Sequence, residues 1–112
     1  MRFKATTTPS NTINNMKFYT DGTNSFGTGV TMTVKTATSY TDPSTVGSGQ
    51  VNPFGHDAFI LTSGAPLNIS GSITNPSTGS FGDYTVTQMG VASTATQGTT
   101  PSETWTFRYD ES

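Results

Sequence analysis

The sequence lacks several features that would indicate a particular function. It contains no cysteine, so it has neither a disulfide framework nor a thiolate metal site. No apolar run approaches the roughly 20 residues that a membrane-spanning helix needs, and the chain does not open with the basic and then apolar segments of a signal peptide. Charged residues make up only 11% of the chain, and the five basic residues are scattered. We therefore expect no membrane span and, without a basic stripe, no nucleic acid partner.

A helical pattern of apolar residues is also lacking. No segment repeats apolar side chains at positions i, i+3 and i+4 over three turns, and glycine and β-branched residues interrupt every window. Hydrophobic residues make up 30% of the chain, but the net charge is only −2 and aromatics reach 11%, which argues against disorder. The polar majority is Thr, Ser, Asn and Gly, with threonine the commonest, and threonine favours strands. We predict a folded all-β protein with a hydroxyl-rich exterior.

Apolar and polar residues alternate in several segments, which are separated by clusters of Gly, Pro, Asn and Asp. The clearest is "VTMTVKT", with three apolar side chains on one face and threonine or lysine on the other. These patterns predict a single domain over residues 1–112, an antiparallel β-sandwich of the Ig-like or jelly-roll type with seven to eight short strands. The predicted core anchors are Phe18, Val30, Met32, Val34, Leu67, Ile69, Tyr84, Val86, Trp105, Phe107 and Tyr109.

One of these segments has an irregular alternation. "DYTVTQMGVAS" places Tyr84 and Val86 on one side, whereas Met89 and Val91 have the opposite parity. One extra residue would return the later pair to the inward face. The pattern therefore predicts a β-bulge around Gln88–Gly90.

The chain ends on "ETWTFRYDE", in which Trp105, Phe107 and Tyr109 share one face of an extended strand. Each large side chain, when buried, stabilises a fold by about 1.5–3 kcal/mol. Because a domain of this size has a total stability of roughly 5–15 kcal/mol, we predict that this closing strand is required for folding.

A long loop separates the first strands from the later ones. The segment from Ser39 to Asp57 is rich in proline and glycine and has room for a short edge strand near Val46 or Val51. Long loops often carry function. Its apolar residues are therefore candidate contacts with a partner, with Phe54 as an alternative plug for the end of the sandwich. These partner-contact candidates are Tyr40, Val46, Val51 and Phe54.

The residue types that carry out catalysis are few. His56 and Asp57 are adjacent, but neighbours on a strand point to opposite faces, which argues against a His–Asp pair. The seven carboxylates lie mostly in turns and suggest no cleft between two of them. "DGTN" at Asp21–Asn24 offers oxygen ligands for calcium, although Asp-Gly is also ordinary hairpin-turn composition. We predict no catalytic residues, no cofactor and no metal site, and therefore a protein that is not an enzyme.

Two further patterns in the sequence concern the surface of the protein. Thr-x-Thr pairs occur at Thr31/Thr33, Thr85/Thr87 and Thr104/Thr106, each predicted to face outward. They would suit a flat ice-binding array, a plain solvated face or an uncharged subunit interface, and the twist of sheets disfavours the first of these. "NIS" at Asn68–Ser70 matches the N-glycosylation pattern but falls inside a predicted strand.

Two runs carry a resemblance to a known group of proteins. "FKATTTPSNTINNMKFYTDGTNSFGTGV" and "VASTATQGTTPSETWTFRYDES" resemble small β-sandwich structural proteins of uncultured tailed viruses. The resemblance implies a capsid-decoration or tail-associated protein on a virion or other extracellular surface. Proteins of that group often carry further strand sequence before "KATT", whereas this chain begins almost directly on it, so the resemblance also implies an incomplete first strand and an unpaired sheet edge for a neighbour to cover.

Together these observations give two expectations for function. The first is a non-enzymatic structural protein that acts through self-association and lattice contacts, as a homo-oligomer and with other proteins of a virion or extracellular surface assembly. The alternative is a carbohydrate-binding or adhesive β-sandwich module, in which Tyr19, Tyr40 and Phe26 would stack on a glycan.

Overall fold

The structure, a computed structural model, describes residues 1–6, 11–40, 55–74, 80–98 and 101–112. These residues contain no α-helix; they form six strands and one short 3₁₀ helix at Ala58–Ile60. The prediction of an all-β antiparallel protein is therefore confirmed, with six strands in the described part of the chain rather than seven to eight. The strands are β1 (Ile13–Thr20), β2 (Val30–Ala37), β3 (His56–Asp57), β4 (Leu67–Ile69), β5 (Tyr84–Val91) and β6 (Trp105–Glu111).

The strands form two antiparallel three-stranded sheets. Sheet 1 has the order β4-β1-β6, and sheet 2 has the order β3-β2-β5. The central strands, β1 and β2, are the ones whose apolar residues alternate most regularly: Met16 and Phe18 are buried on β1, and Met32 and Val34 on β2. A strand with partners on both sides and one buried face shows this period of two.

A single core cluster contains residues from both sheets. Among its members, Met16, Phe18 and Ile69 come from sheet 1, Met32 and Val34 from sheet 2, and Ala58 and Leu61 from the 3₁₀ helix and the residue after it. Aromatic rings of β6 extend the cluster. Phe18 has its ring centroid 5.8 Å from that of Trp105 and 5.2 Å from that of Phe107.

The residues predicted as core anchors differ in burial. Four of them are buried and six are half-buried. The buried ones are Phe18, Met32, Val34 and Ile69, and the half-buried ones are Val30, Leu67, Tyr84, Val86, Trp105 and Phe107. The prediction that Tyr109 is a core anchor is wrong. Its side chain is 49% exposed near the end of β6, where the ring of Phe3 packs against it.

The predicted orientation of β5 is wrong. β5 pairs with β2 residue by residue, from Ala37 opposite Tyr84 to Val30 opposite Val91, so there is no bulge at 88–90. Directly opposed residues of an antiparallel pair project to the same face. Thr85 and Thr87 therefore share the core-side face of sheet 2, and Thr85 is buried. Tyr84 and Val86 lie on the outer face instead.

The irregularity that β5 lacks is found in β1. The pairing of β1 with β6 shifts by one residue between Asn14 and Lys17, which marks a β-bulge. Asn15 lies at this shift with φ +49°, a conformation that asparagine tolerates better than most residues. Its side-chain amide donates to Asp110 Oδ2 on β6 at 2.5 Å. The bulge lets Ile13, which packs against the core, share the inward face with Met16 and Phe18 although its parity is the opposite one.

The N-terminal segment connects the two sheets. The backbone of Met1 exchanges hydrogen bonds with Thr85 at the start of β5, and that of Ala5 donates to Ser80. Ala5 is buried and Phe3 half-buried, whereas Arg2 and Lys4 are exposed, which is the alternation of a strand. The Phe3 ring reaches across to β6, 5.8 Å from the ring of Phe107.

Candidate functional site

Of the predicted partner contacts, only Tyr40 lies within the described residues. It follows β2 and is 47% exposed, with its ring centroid 6.0 Å from that of Tyr84. Val46, Val51 and Phe54 lie outside the described residues, as does the predicted edge strand near Val46 or Val51.

The His56–Asp57 pair lies in β3 at the edge of sheet 2. Both residues are exposed, and they pair with Val34 and Thr33 of β2. The Asp57 carboxylate accepts a hydrogen bond from the Phe59 N–H at 3.0 Å, so it caps the 3₁₀ helix. Asp57 thus has a local structural role that accounts for its position.

The Asp21–Asn24 segment is a hydrogen-bonded turn. Asp21 Oδ1 accepts from the Thr23 N–H at 2.9 Å, and Asn24 Oδ1 accepts from the Phe26 N–H at 3.1 Å. The Asn24 amide also donates to the Val30 carbonyl at 2.9 Å, which ties the turn to β2. In the described part of the chain, no three His, Asp or Glu residues are grouped to hold a metal ion.

The threonine pairs do not form one surface. Thr31 and Thr33 lie on the outer face of sheet 2, whereas Thr85 and Thr87 lie on its core-side face, contrary to expectation. Thr106 belongs to sheet 1. The pairs are therefore divided between two sheets and two faces.

Asn68 of the "NIS" pattern lies on the short strand β4, with an exposed side chain. Its side-chain oxygen accepts a hydrogen bond from the Lys17 ammonium of β1.

An open groove with a mixed polar and apolar lining lies where β2 begins and β5 ends. It has a volume of about 520 Å³ and is lined by residues of β2, of β5, of the turn before β2 and of the turn after β5. Met89 is 50% and Val91 66% exposed, although both project from the core-side face of sheet 2, beside the buried Met32. The core-side face of sheet 2 is thus left open at this end.

The groove contains no charged side chain. Its large apolar lining residues are Phe26, Val30, Met89 and Val91, and its other lining residues are small or uncharged. Sequence reasoning missed this surface, because the bulge predicted in β5 would have moved Met89 and Val91 into the core. The signal for this surface in the sequence is that Met89 and Val91 have the opposite parity to Tyr84 and Val86. An apolar surface without charge is easily desolvated and is typical of the core of a protein interface.

A second surface feature is an aromatic cluster around Arg2. The guanidinium carbon of Arg2 lies 3.4 Å from the ring centroid of Phe81 and 4.5 Å from that of Tyr84. Tyr40 stacks beside Tyr84, and Phe81 is 42% exposed. The Lys4 ammonium lies 5.8 Å from the ring centroid of Phe81, so the cluster is a partly exposed group of rings with two cations beside it.

The aromatics predicted to contact a glycan do not come together. Tyr40 belongs to the Arg2 cluster, whereas the Phe26 ring packs edge-on against Phe59 at 6.3 Å and lines the groove. Tyr19 lies half-buried on β1 in sheet 1. In the described residues, no ring contact joins any two of the three.

The chain was compared with protein-family models, with curated proteins and with solved structures, and none of the three comparisons gave a match. Within the described residues, the structure has no helix of the length and hydrophobicity needed to cross a bilayer.

Proposed function

We propose that this chain is a non-enzymatic structural subunit that acts through contacts with copies of itself and with neighbouring proteins in a surface assembly. The setting that we propose is a virion or another extracellular surface, with the chain as a capsid decoration or appendage subunit, as the resemblance of its two runs implies. We also propose that the two sheets complete an Ig-like or jelly-roll sandwich, which the single core drawn from both sheets supports.

The observation that carries self-association is the open groove at the end of sheet 2. Fully burying a valine or methionine side chain contributes about 1.5–3 kcal/mol. Met89 and Val91 expose half or more of their surface on a face that elsewhere forms the core. A neighbouring subunit that covered the groove would bury both residues without desolvating a charge.

The test is the molar mass in solution, measured by size-exclusion chromatography with light scattering. We expect the wild-type chain to be larger than a monomer and Val91→Asp to reduce its mass, because a carboxylate in the groove would have to be desolvated. Gln88→Asp is the matched control, since Gln88 is exposed on the outer face of the same strand. A wild-type chain that stays monomeric at its highest soluble concentration would refute the proposal.

The Arg2 cluster favours a second candidate, a carbohydrate-binding or adhesive module. Exposed rings stack on sugar faces, and Tyr40 and Phe81 are two exposed rings that lie with the half-buried Tyr84 in this cluster. A strict monomer that binds a glycan array would favour this candidate over the first.

A further inference from the structure

Among the described strands, β6 has a partner on one side only. It pairs with β1, and in the described residues no backbone group bonds to its other edge. Ser112 exchanges both of its backbone hydrogen bonds with Thr12, at 2.8 and 3.0 Å. Because backbone groups alternate in direction along a strand, the even-numbered residues of β6 point to β1. The odd-numbered residues, Trp105, Phe107, Tyr109 and Glu111, therefore direct their N–H and C=O groups to the free edge.

This edge is open to pairing. Natural edge strands are protected from pairing by charged side chains, above all lysine, by proline, by a bulge or by very short length. β6 is seven residues long and contains neither lysine nor proline, and its charged residues, Arg108, Asp110 and Glu111, are of both signs, so they disfavour some registers and favour others. The bulge between β1 and β6 lies on β1, so it adds no extra residue to β6. The outer edge of β5 along Val86–Val91 differs from that of β6, because this segment contains no charged residue that would select a register for pairing.

The two charged residues on the outer face of β6, Arg108 and Asp110, form no ion pair within the described part of the chain. Arg108 lies directly opposite Lys17 of β1, and like charges in that position disfavour the sheet. In the described residues Arg108 has no ion pair. Asp110 lies two residues further along the same face, where its side chain accepts a hydrogen bond from the Asn15 amide. A second strand on the free edge would bring new charges beside both residues.

We propose that β6 pairs antiparallel with β6 of a second copy, about a two-fold axis that passes between the two Tyr109 residues; this inference rests on the proposed self-association and names the interface. In this register Arg108 of each copy lies opposite Asp110 of the other. Registers displaced by one residue on each strand would instead place Arg108 opposite Arg108, or Asp110 opposite Asp110. Charge complementarity therefore selects the register with both attractive pairs.

The backbone fits the same register. Antiparallel pairing about this axis joins Tyr109 to Tyr109, and Phe107 to Glu111 in both halves, which gives about six hydrogen bonds between groups that point to the free edge. It also places the two half-exposed Tyr109 rings side by side, where each covers the other. The result is one continuous six-stranded sheet across two copies.

The experiment is a charge exchange, with self-association of the full chain measured by sedimentation equilibrium. We expect Arg108→Glu and Asp110→Arg each to weaken dimerisation at least about ten-fold, because each turns two attractions into repulsions. The double variant Arg108→Asp/Asp110→Arg should restore dimerisation, which a folding defect could not do. Lys35→Glu on β2 is the control for charge reversal elsewhere, and circular dichroism melts verify that each variant folds.

The outcomes separate this inference from the proposed function. If the wild-type chain associates and Val91→Asp disrupts it, but the exchanged charges have no effect, the β6 interface is refuted while self-association stands. If single variants weaken association and the double variant fails to recover it, the register is refuted. A chain that is monomeric throughout refutes both.

Discussion

At the scale of single residues, the Thr20 hydroxyl joins two segments that are separate in the sequence. It is buried at the end of β1, and its hydroxyl oxygen lies 3.0 Å from the Ala58 carbonyl oxygen and 3.1 Å from that of Leu61. The same oxygen accepts from the Gly22 N–H at 3.1 Å. One hydroxyl therefore holds together the end of β1, the 3₁₀ helix and the turn that follows β1.

We predict that Thr20→Val destabilises the fold by about 1–2 kcal/mol, because valine keeps the shape but removes the acceptor of the Gly22 N–H and leaves the Ala58 and Leu61 carbonyls with one backbone hydrogen bond each. Urea unfolding monitored by tryptophan fluorescence measures this, since Trp105 is directly opposite Thr20. Thr31→Val, at an exposed threonine of β2, should change the stability by less than about 0.5 kcal/mol. Equal effects at the two positions would contradict the role given to Thr20.

The alternation of residues predicted some of these positions and missed others. On β1 and β2, apolar and polar residues alternate without competition, so the inward faces with Phe18, Met32 and Val34 could be derived. β5 offers apolar residues on both parities, and its orientation is decided by pairing with β2. That pairing turns Thr85 inward, which no local pattern indicates. Thr20 has the inward parity of Phe18, but its hydrogen-bond partners at Ala58 and Leu61 are distant in sequence and no local pattern indicates them.

At the scale of elements, the turn before β2 depends on a glycine. Gly29 has φ +85°, and a Cβ built on it would lie 2.7 Å from the Ala95 Cα, in the turn after β5. Its carbonyl accepts from the Ala92 N–H at 2.8 Å. The two turns that line the groove are thus in backbone contact at this position.

We predict that Gly29→Ala destabilises the fold by about 3 kcal/mol or more, since it adds a steric clash to the strain of a positive φ. Gly27→Ala separates the two effects, because Gly27 has φ +90° but no atom within 4 Å of its Cβ position. It should cost only about 1–2 kcal/mol. Thermal melts followed by circular dichroism give both values, and equal losses would show that the close approach to Ala95 does not matter.

The elements that define the candidate site were the hardest to derive. The groove exists because β5 pairs with β2 without a bulge, which leaves Met89 and Val91 beyond the part of the face that the core covers. The actual bulge is at Asn15, where "INN" gives only a weak signal, the tolerance of asparagine for positive φ. Strand existence follows from composition, but register and bulges depend on contacts between distant segments.

At the scale of the whole molecule, the two proposed contacts lie on different sheets. The groove belongs to sheet 2, and the free edge of β6 belongs to sheet 1. A two-fold contact alone closes a dimer, whereas a second, different contact extends the assembly. A subunit that makes both contacts can assemble into an extended surface lattice. A subunit that makes only the β6 contact forms a dimer and no larger assembly.

Closure of the fold by β6 is the last prediction. Trp105 and Phe107 pack on Phe18, which is completely buried, and β6 is the partner of β1 along most of its length. A stop before Trp105 would uncover Phe18 and remove one edge of sheet 1, a loss that we expect to exceed the roughly 5–15 kcal/mol that such a domain has. Circular dichroism of this truncation should give no cooperative melt. A stop after Asp110, which leaves the aromatic contacts with Phe18 intact, should retain one. A cooperative melt in the shorter chain would mean that the rest of the core folds without its closing strand.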